Sequence, residues 1–215
     1  MRSAFLRSCL LLGALAAAAP ALASPAASRV VAGQRLPVLT AEPAFDEGTF
    51  FAAAGTELAA RYQAQLLSPA LDEFERTTLK VDALPDAGLF LVRVQRDRKG
   101  KLYLYRPCDG GYHRRQLITD THVWMLGGEP LMVPLTRTQR RGRLTTLELD
   151  TQGLPPMIAT RIQLRTSARA GLYEELAEDG TVDGLLMTPA AARKLSVIVR
   201  VCKKAKVQEF DFSAR

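Results

Sequence analysis

Beyond Pro85 the apolar residues of this chain recur at every second position in one short run after another. This spacing puts the apolar side chains of each run on one face of a β-strand. Glycine-rich or charged turns separate the runs at roughly 8–12-residue intervals, which is typical of antiparallel sandwiches and barrels. No repeat of constant length indicates a propeller or a solenoid. The sequence therefore predicts a mainly β (α+β) fold, an antiparallel β-sandwich or partly closed barrel with one or two N-terminal helices.

A helical period precedes these strands. Between Phe51 and Leu66 the apolar residues recur at steps of three and four, which predicts one helix that starts near position 49. Ser68 followed by Pro69 has the form of an N-cap with a first-turn proline and predicts the start of a second, shorter helix. We expect the helical segment 49–80 to pack against a sheet.

The first 23 residues have the pattern of an export signal. Arg2 and Arg7 precede an apolar run, and a small-x-small cleavage site ends at Ala23. No later apolar run has the length of a membrane span, so a soluble protein of the bacterial periplasm or the exterior is expected. The predicted divisions are a signal peptide at 1–23, a flexible lead-in at 24–44 and a single β-rich domain at 45–215.

Three cysteines occur, and Cys9 lies inside the predicted leader. In an oxidising compartment the remaining two, Cys108 and Cys202, are expected to form a disulfide that joins the ends of two strands. A metal pair or a catalytic thiol is the alternative. Neither finds further ligands or a base at a matching spacing, so no metal and no cofactor is predicted.

Basic residues cluster at three predicted hairpin tips, in a chain whose formal net charge is +7. If the tips converge at one end of the fold, they form a site for an anionic glycan, lipopolysaccharide or an acidic envelope protein. Outside the cytoplasm a nucleic-acid partner is not expected. The alternative is that charged tips only keep loops soluble and edges unpaired. The predicted ligand-binding residues are Arg98, Lys99 and Lys101 at the first tip, Arg140, Arg141 and Arg143 at the second, and Lys203 and Lys204 at the third.

Signatures of catalysis are thin: the chain has no nucleophile elbow and no phosphate-binding glycine loop. The sequence therefore favours a non-catalytic binding or structural protein of the cell envelope. One alternative is a hydrolase or metal-dependent enzyme that uses His113, His122 and Asp120. Another is an inhibitor or immunity-type protein that inserts the loop at 109–115 into a partner enzyme.

Overall fold

The computed structural model describes residues 28–31, 34–37, 49–107, 113–156 and 158–200. In these ranges no helix is both long and apolar enough to cross a membrane. The helices there are α1 (Glu57–Leu66), α2 (Glu73–Leu79) and α3 (Pro189–Ala192). The strands there are β1 (Ser28–Val31), β2 (Gln34–Pro37), β3 (Thr49–Ala52), β4 (Leu89–Arg96), β5 (Leu102–Arg106), β6 (Arg115–Ile118), β7 (His122–Leu126), β8 (Leu131–Arg141), β9 (Leu144–Leu149), β10 (Arg161–Thr166), β11 (Leu172–Leu176), β12 (Val182–Met187) and β13 (Ser196–Arg200).

Eight strands form a closed antiparallel barrel. Their order is β4, β6, β7, β8, β9, β10, β11 and β12, and β12 pairs with β4 to complete the circle. The register shifts between Leu135 and Arg137, directly after Pro134, as is typical of a strand that contains a proline. The predicted β-rich fold is confirmed, and the barrel is fully rather than partly closed.

A smaller sheet branches from the barrel at β4. The first half of β4 pairs with β6, whereas Gln95 and Arg96 at its end pair with β5. The sheet continues from β5 to β13 and then to β3. The pairing of β13 with β5 is parallel, which the all-antiparallel prediction did not include. The separate β1–β2 hairpin falls within the segment predicted to be a flexible lead-in.

The alternation of side chains along β4 divides the apolar core in two. Leu91 points into the barrel, where it packs in one cluster with Val133 and Leu147. Its neighbours Val92 and Val94 belong to a second cluster outside the barrel, with residues of α1 and β13. Since adjacent residues of a strand face opposite sides, one strand supplies both cores.

The first predicted helix starts later than expected. Thr49–Ala52 form β3, which pairs with β13 at an edge of the smaller sheet. Gly55 then takes a φ of +83°, a left-handed conformation that ends the strand and favours glycine. The hydroxyl of Thr56 accepts from the backbone N–H of Ala59 at 3.2 Å and so caps α1. The predicted helix from position 49 is therefore wrong for its first part and correct for Glu57–Leu66.

The second helix also starts later, at Glu73 rather than after Ser68. Asp72 is its N-cap and forms a capping box with Glu75, in which each side chain accepts from the other residue's backbone N–H. These two reciprocal hydrogen bonds satisfy free backbone N–H groups of the first turn and place the start of α2 at Glu73.

Several predictions fall on residues that the structure does not describe. Cys108 and Cys202, the predicted disulfide, lie outside the described ranges, as do Lys203 and Lys204 of the third cationic tip and most of the loop at 109–115.

Candidate functional site

The antiparallel order of the barrel sorts the strand ends into two groups. At one end, here called the mouth, β6 begins and β11 ends. At the opposite end, here called the arginine end, β8 ends at Arg141 and β10 ends at Thr166. The two ends differ in charge and in how their side chains are bonded.

The barrel does not bring the first two predicted cationic tips together. Three antiparallel pairings separate β4 from β8, so these strands run in opposite directions and their hairpin tips lie toward opposite ends. The hypothesis of convergence, one of the two alternatives that the sequence leaves open, therefore fails for these two tips. The tip beyond the mouth holds Arg98, Lys99 and Lys101, and the tip at the arginine end holds Arg140, Arg141 and Arg143.

The tip between β4 and β5 is held by internal contacts. Asp97 is buried, and its carboxylate accepts from the backbone N–H of Lys101 at 2.9 Å and from the hydroxyl of Tyr103 at 3.1 Å. The ammonium of Lys101 lies 5.3 Å from the ring centroid of Tyr103 and 5.7 Å from that of Phe51. Through these cation–π contacts the ammonium of Lys101 already interacts with two aromatic rings of the protein itself.

The tip between β8 and β9 is joined to its neighbour by Arg143, whose Nε donates to the carbonyl of Thr166 at 2.7 Å. Arg165 on β10 is paired, since its Nε lies 2.7 Å from Oε2 of Glu174. Within the described ranges, no carboxylate oxygen lies within 4.0 Å of the other arginines at this end. We call this group the arginine cluster; it consists of Arg140, Arg141, Arg143, Arg165 and Arg169, all of them exposed.

At the mouth, an arginine points into the barrel and is neutralised. The guanidinium of Arg114 contacts both oxygens of Glu175, at 3.1 and 3.2 Å. With its amide oxygen turned toward Arg114, the fully buried Gln116 accepts two more hydrogen bonds, at 2.7 and 2.9 Å. A second inward arginine, Arg93, donates to the carbonyl of Asp183 at 3.3 Å. These polar groups cap the apolar interior of the barrel.

A cavity of about 430 Å³ opens beside this polar layer. Gly184, directly opposite Glu175 on the next strand, keeps the wall open. A Cβ at this glycine would lie 3.3 Å from Oε2 of Glu175 and 3.5 Å from the guanidinium carbon of Arg93. The cavity is lined by both charged and apolar residues, among them Arg114, Arg161, Glu175, Asp183, Ile158 and Ile162.

The next residue, Arg115, is the first of β6; it points out of the barrel and fastens α2 to it. Both oxygens of Glu75 accept from Nη2 of Arg115, the longer bond being 2.7 Å. The same carboxylate accepts from the backbone N–H of Gly127 at 3.1 Å and of Asp72 at 3.0 Å. The Glu75 side chain is only 2% exposed. We call this group the latch.

His113 lies beside the latch and is buried. Its Nε2 donates to the carbonyl of Leu66 at 2.8 Å, at the end of α1. Burial, together with the nearby charge of Arg115, lowers the pKa of His113 from 6.5 to about 4, although hydrogen bonds to the carbonyls of Leu66 and Tyr105 act in the opposite direction. The neutral imidazole therefore links the end of α1 to the barrel through a hydrogen bond, and we call His113 the strut.

A groove of about 740 Å³ runs past the latch and is larger than the cavity at the mouth. Three of its polar side chains, those of Glu75, His113 and Arg115, already have protein partners. The mouth, where charged side chains remain unpaired, is therefore the better candidate for a ligand.

The structure separates the three residues of the alternative enzyme site. His113 precedes β6 and His122 starts β7, so they lie at opposite ends of the β6–β7 hairpin, with Asp120 in its exposed turn. The Nδ1 of His122 bonds to the hydroxyl of Thr121 at 2.9 Å. In the part of the chain that the structure describes, no three metal-ligating side chains come together.

The residues predicted from the sequence do not include the two carboxylates that matter most, Glu75 and Glu175. The available signals are that Glu175 lies on β11, which also faces an apolar core through Leu172, and that Glu75 stands three residues after Asp72 in the spacing of a capping box. The partners, Arg114 and Arg115, stand far away in sequence and are adjacent to one another.

Comparisons of the chain with protein-family models, with curated proteins and with solved structures find no match.

Proposed function

We propose that this chain is an exported, non-catalytic binding protein of the bacterial cell envelope, and that its arginine end holds an anionic glycan. The observation that carries the proposal is the arginine cluster, in which four of five guanidinium groups lack a carboxylate within 4.0 Å among the described residues. Unpaired like charges repel one another, so such a cluster is stabilised when an anion binds to it.

The chemistry of the cluster suits sulfate, phosphate and carboxylate groups. Guanidinium forms paired hydrogen bonds to these groups, which an ammonium does not. Arg141 and Arg165 lie on either side of Leu144, on strands spaced by about 4.8 Å, so their backbones stand about 10 Å apart. Donors distributed around this end of the barrel, four of them without a carboxylate partner among the described residues, fit a chain of anionic groups, such as the acidic and phosphorylated sugars of lipopolysaccharide.

The predicted leader supports a glycan in preference to a nucleic acid, because export would remove the protein from the compartment that holds most nucleic acid. The strand pairing supports the predicted disulfide. Arg106 pairs with Val199 where β5 and β13 run side by side, and Cys108 and Cys202 follow these residues by only a few positions in sequence. A disulfide would tie the two strands together beyond the sheet.

Retention on a heparin column tests the binding proposal. The wild-type protein is expected to elute at a salt concentration well above that of the triple variant Arg140→Gln, Arg141→Gln, Arg143→Gln. The matched control removes three charges at the opposite end, by Arg98→Gln, Lys99→Gln and Lys101→Gln, and is expected to elute close to wild type. Equal shifts for both variants would show that only net charge matters and would overturn the proposal.

Export and the disulfide have their own test. Cell fractionation with mass spectrometry is expected to find a chain that begins near Ser24 in the periplasm, without free thiols after unfolding in the absence of reductant. An intact cytosolic chain with reactive Cys108 and Cys202 would contradict this part of the proposal.

A further inference from the structure

The mouth of the barrel carries a second site, separate from the arginine cluster. Its cavity of about 430 Å³ lies at the small end of the range for ligand sites, roughly 300 to 1,000 Å³. We propose that this cavity binds a free α-amino acid with an apolar side chain. Three features of the wall point to this ligand: charges of both signs, their lack of partners, and an apolar surface between them.

The cavity offers separate positions for a carboxylate and for an ammonium group. The guanidinium of Arg161 has no carboxylate within 4.0 Å in the described part of the chain, and it is exposed at the rim. Asp183 and Glu178 also line the cavity, and among the described residues no cationic nitrogen lies within 4.0 Å of either. A zwitterion satisfies both kinds of group at once, whereas a simple anion or cation leaves one kind unpaired.

Glu175 adds an acceptor at the base of the cavity. Each of its oxygens makes one contact with Arg114, at 3.1 and 3.2 Å. A carboxylate has about four positions for hydrogen bonds, so Glu175 retains capacity for a ligand donor. Glu75 in the latch provides the contrast, because both of its oxygens accept from Arg115 and also from a backbone N–H.

The rest of the wall is apolar. Met125 and Ile162 project from the barrel strands, and Ile158 covers them from the loop before β10. These aliphatic groups favour an aliphatic side chain of the ligand through burial of its surface. Gly184 leaves the space beside Glu175 open, since a side chain there would contact Oε2 of Glu175 at 3.3 Å.

Isothermal titration calorimetry of the wild-type protein with leucine, isoleucine and methionine tests the proposal. At least one is expected to bind saturably with a stoichiometry of one. N-acetyl-leucine lacks the ammonium and leucinamide lacks the carboxylate, so each analogue is expected to bind about tenfold or more weakly than leucine, since each loses a charge-assisted hydrogen bond. Absence of saturable binding by all three amino acids, or equal binding of the analogues, would overturn the proposal.

Two variants assign the positions of the charged groups. Arg161→Gln is expected to weaken leucine binding about tenfold and to leave leucinamide binding unchanged, because the amide does not use the guanidinium charge. Asp183→Asn is expected to weaken leucine binding and to leave N-acetyl-leucine binding unchanged. Arg141→Gln, at the opposite end, is the matched control and should bind leucine as wild type does. Loss of binding in the control, or none in either mouth variant, would refute the assigned site.

Discussion

Two consecutive residues of the chain, Arg114 and Arg115, make the same kind of ion pair on opposite sides of the barrel wall. Arg114 points inward to Glu175 at the mouth, and Arg115 points outward to Glu75 in the latch. The opposite directions follow from the alternation of side chains along a strand. The same kind of Arg–Glu ion pair therefore has two different roles, and the burial and hydrogen bonding around each pair decide which role it has.

The difference between the two pairs lies in saturation and exposure. In the latch, the side chain of Arg115 is 11% exposed and also donates to the carbonyls of Ser68 and Ala70. At the mouth, the side chain of Arg114 is 30% exposed, and among the described residues Arg114 is the one donor to the carboxylate of Glu175. A saturated, buried pair holds two elements together, while an unsaturated pair beside a cavity can accept a ligand.

The largest effect is expected from breaking the latch. Glu75→Gln leaves the charge of Arg115 buried without a counterion, which should lower the free energy of unfolding by about 3–5 kcal/mol. Urea denaturation followed by circular dichroism measures it. Glu57→Gln is the control, since its pair with Arg61 on α1 is 3.6 Å long and exposed, and a change within about 0.5 kcal/mol is expected there. Similar losses for both variants would show that the buried pair of the latch stabilises the protein no more than an exposed pair does.

The second largest effect is expected in the dependence of stability on pH. The pKa of His113 is about 4 in the folded protein, below the value of about 6.5 for an unfolded chain, so the unfolded state binds the proton more readily between these values. The contribution of His113 to the free energy of unfolding is therefore fully present above pH 6.5 and falls by about 3 kcal/mol in all as the pH drops toward 4. Denaturation curves at several pH values measure it, and His113→Gln is expected to remove this part of the dependence. An unchanged slope in the variant would contradict the buried neutral imidazole.

A smaller effect is expected at the mouth. Glu175→Gln should lower the free energy of unfolding by about 1–2 kcal/mol, because Arg114 is partly exposed and water in the cavity can solvate it. The same denaturation experiment applies. A loss as large as that of Glu75→Gln would mean that the two pairs are equally buried and would remove the contrast between them.

The smallest effect is expected at the arginine end. The triple variant Arg140→Gln, Arg141→Gln, Arg143→Gln should change the free energy of unfolding by no more than about 0.5 kcal/mol, since these side chains are exposed. A thermal melt checks this directly. A large destabilisation would show that the cluster is structural rather than a binding surface.

The sequence predicted the elements of this fold better than their arrangement. The alternation in the runs at 89–94 and 144–149 marked β4 and β9 because period two is a local property. Closure of the barrel depends on the pairing of β12 with β4, residues about ninety positions apart, which no local pattern encodes. For the same reason the direction of β8 relative to β4, and with it the separation of the cationic tips, could not be read from the chain.

The candidate site was predicted only in part. Arg140, Arg141 and Arg143 stand out in the sequence because they adjoin a glycine at a turn. The mouth combines Arg114, which precedes β6, with Glu175 on β11, and the pairings of β11 with β12, of β12 with β4 and of β4 with β6 bring them together. The stretch from His113 to Gln116 has no marked sequence pattern. It nevertheless contains, in succession, the strut His113, the mouth arginine Arg114 and the latch arginine Arg115.

The two adjacent arginines at the start of β6 point to opposite sides of the barrel wall. Double-mutant cycles between these two arginines and the two glutamates test this arrangement most directly. The expected coupling energy is about 2–3 kcal/mol for Arg115 with Glu75 and about 1 kcal/mol for Arg114 with Glu175. The crossed pairs, Arg114 with Glu75 and Arg115 with Glu175, should show coupling near zero. Coupling in a crossed pair as strong as in a direct pair would place both arginines on one side and contradict the barrel described here.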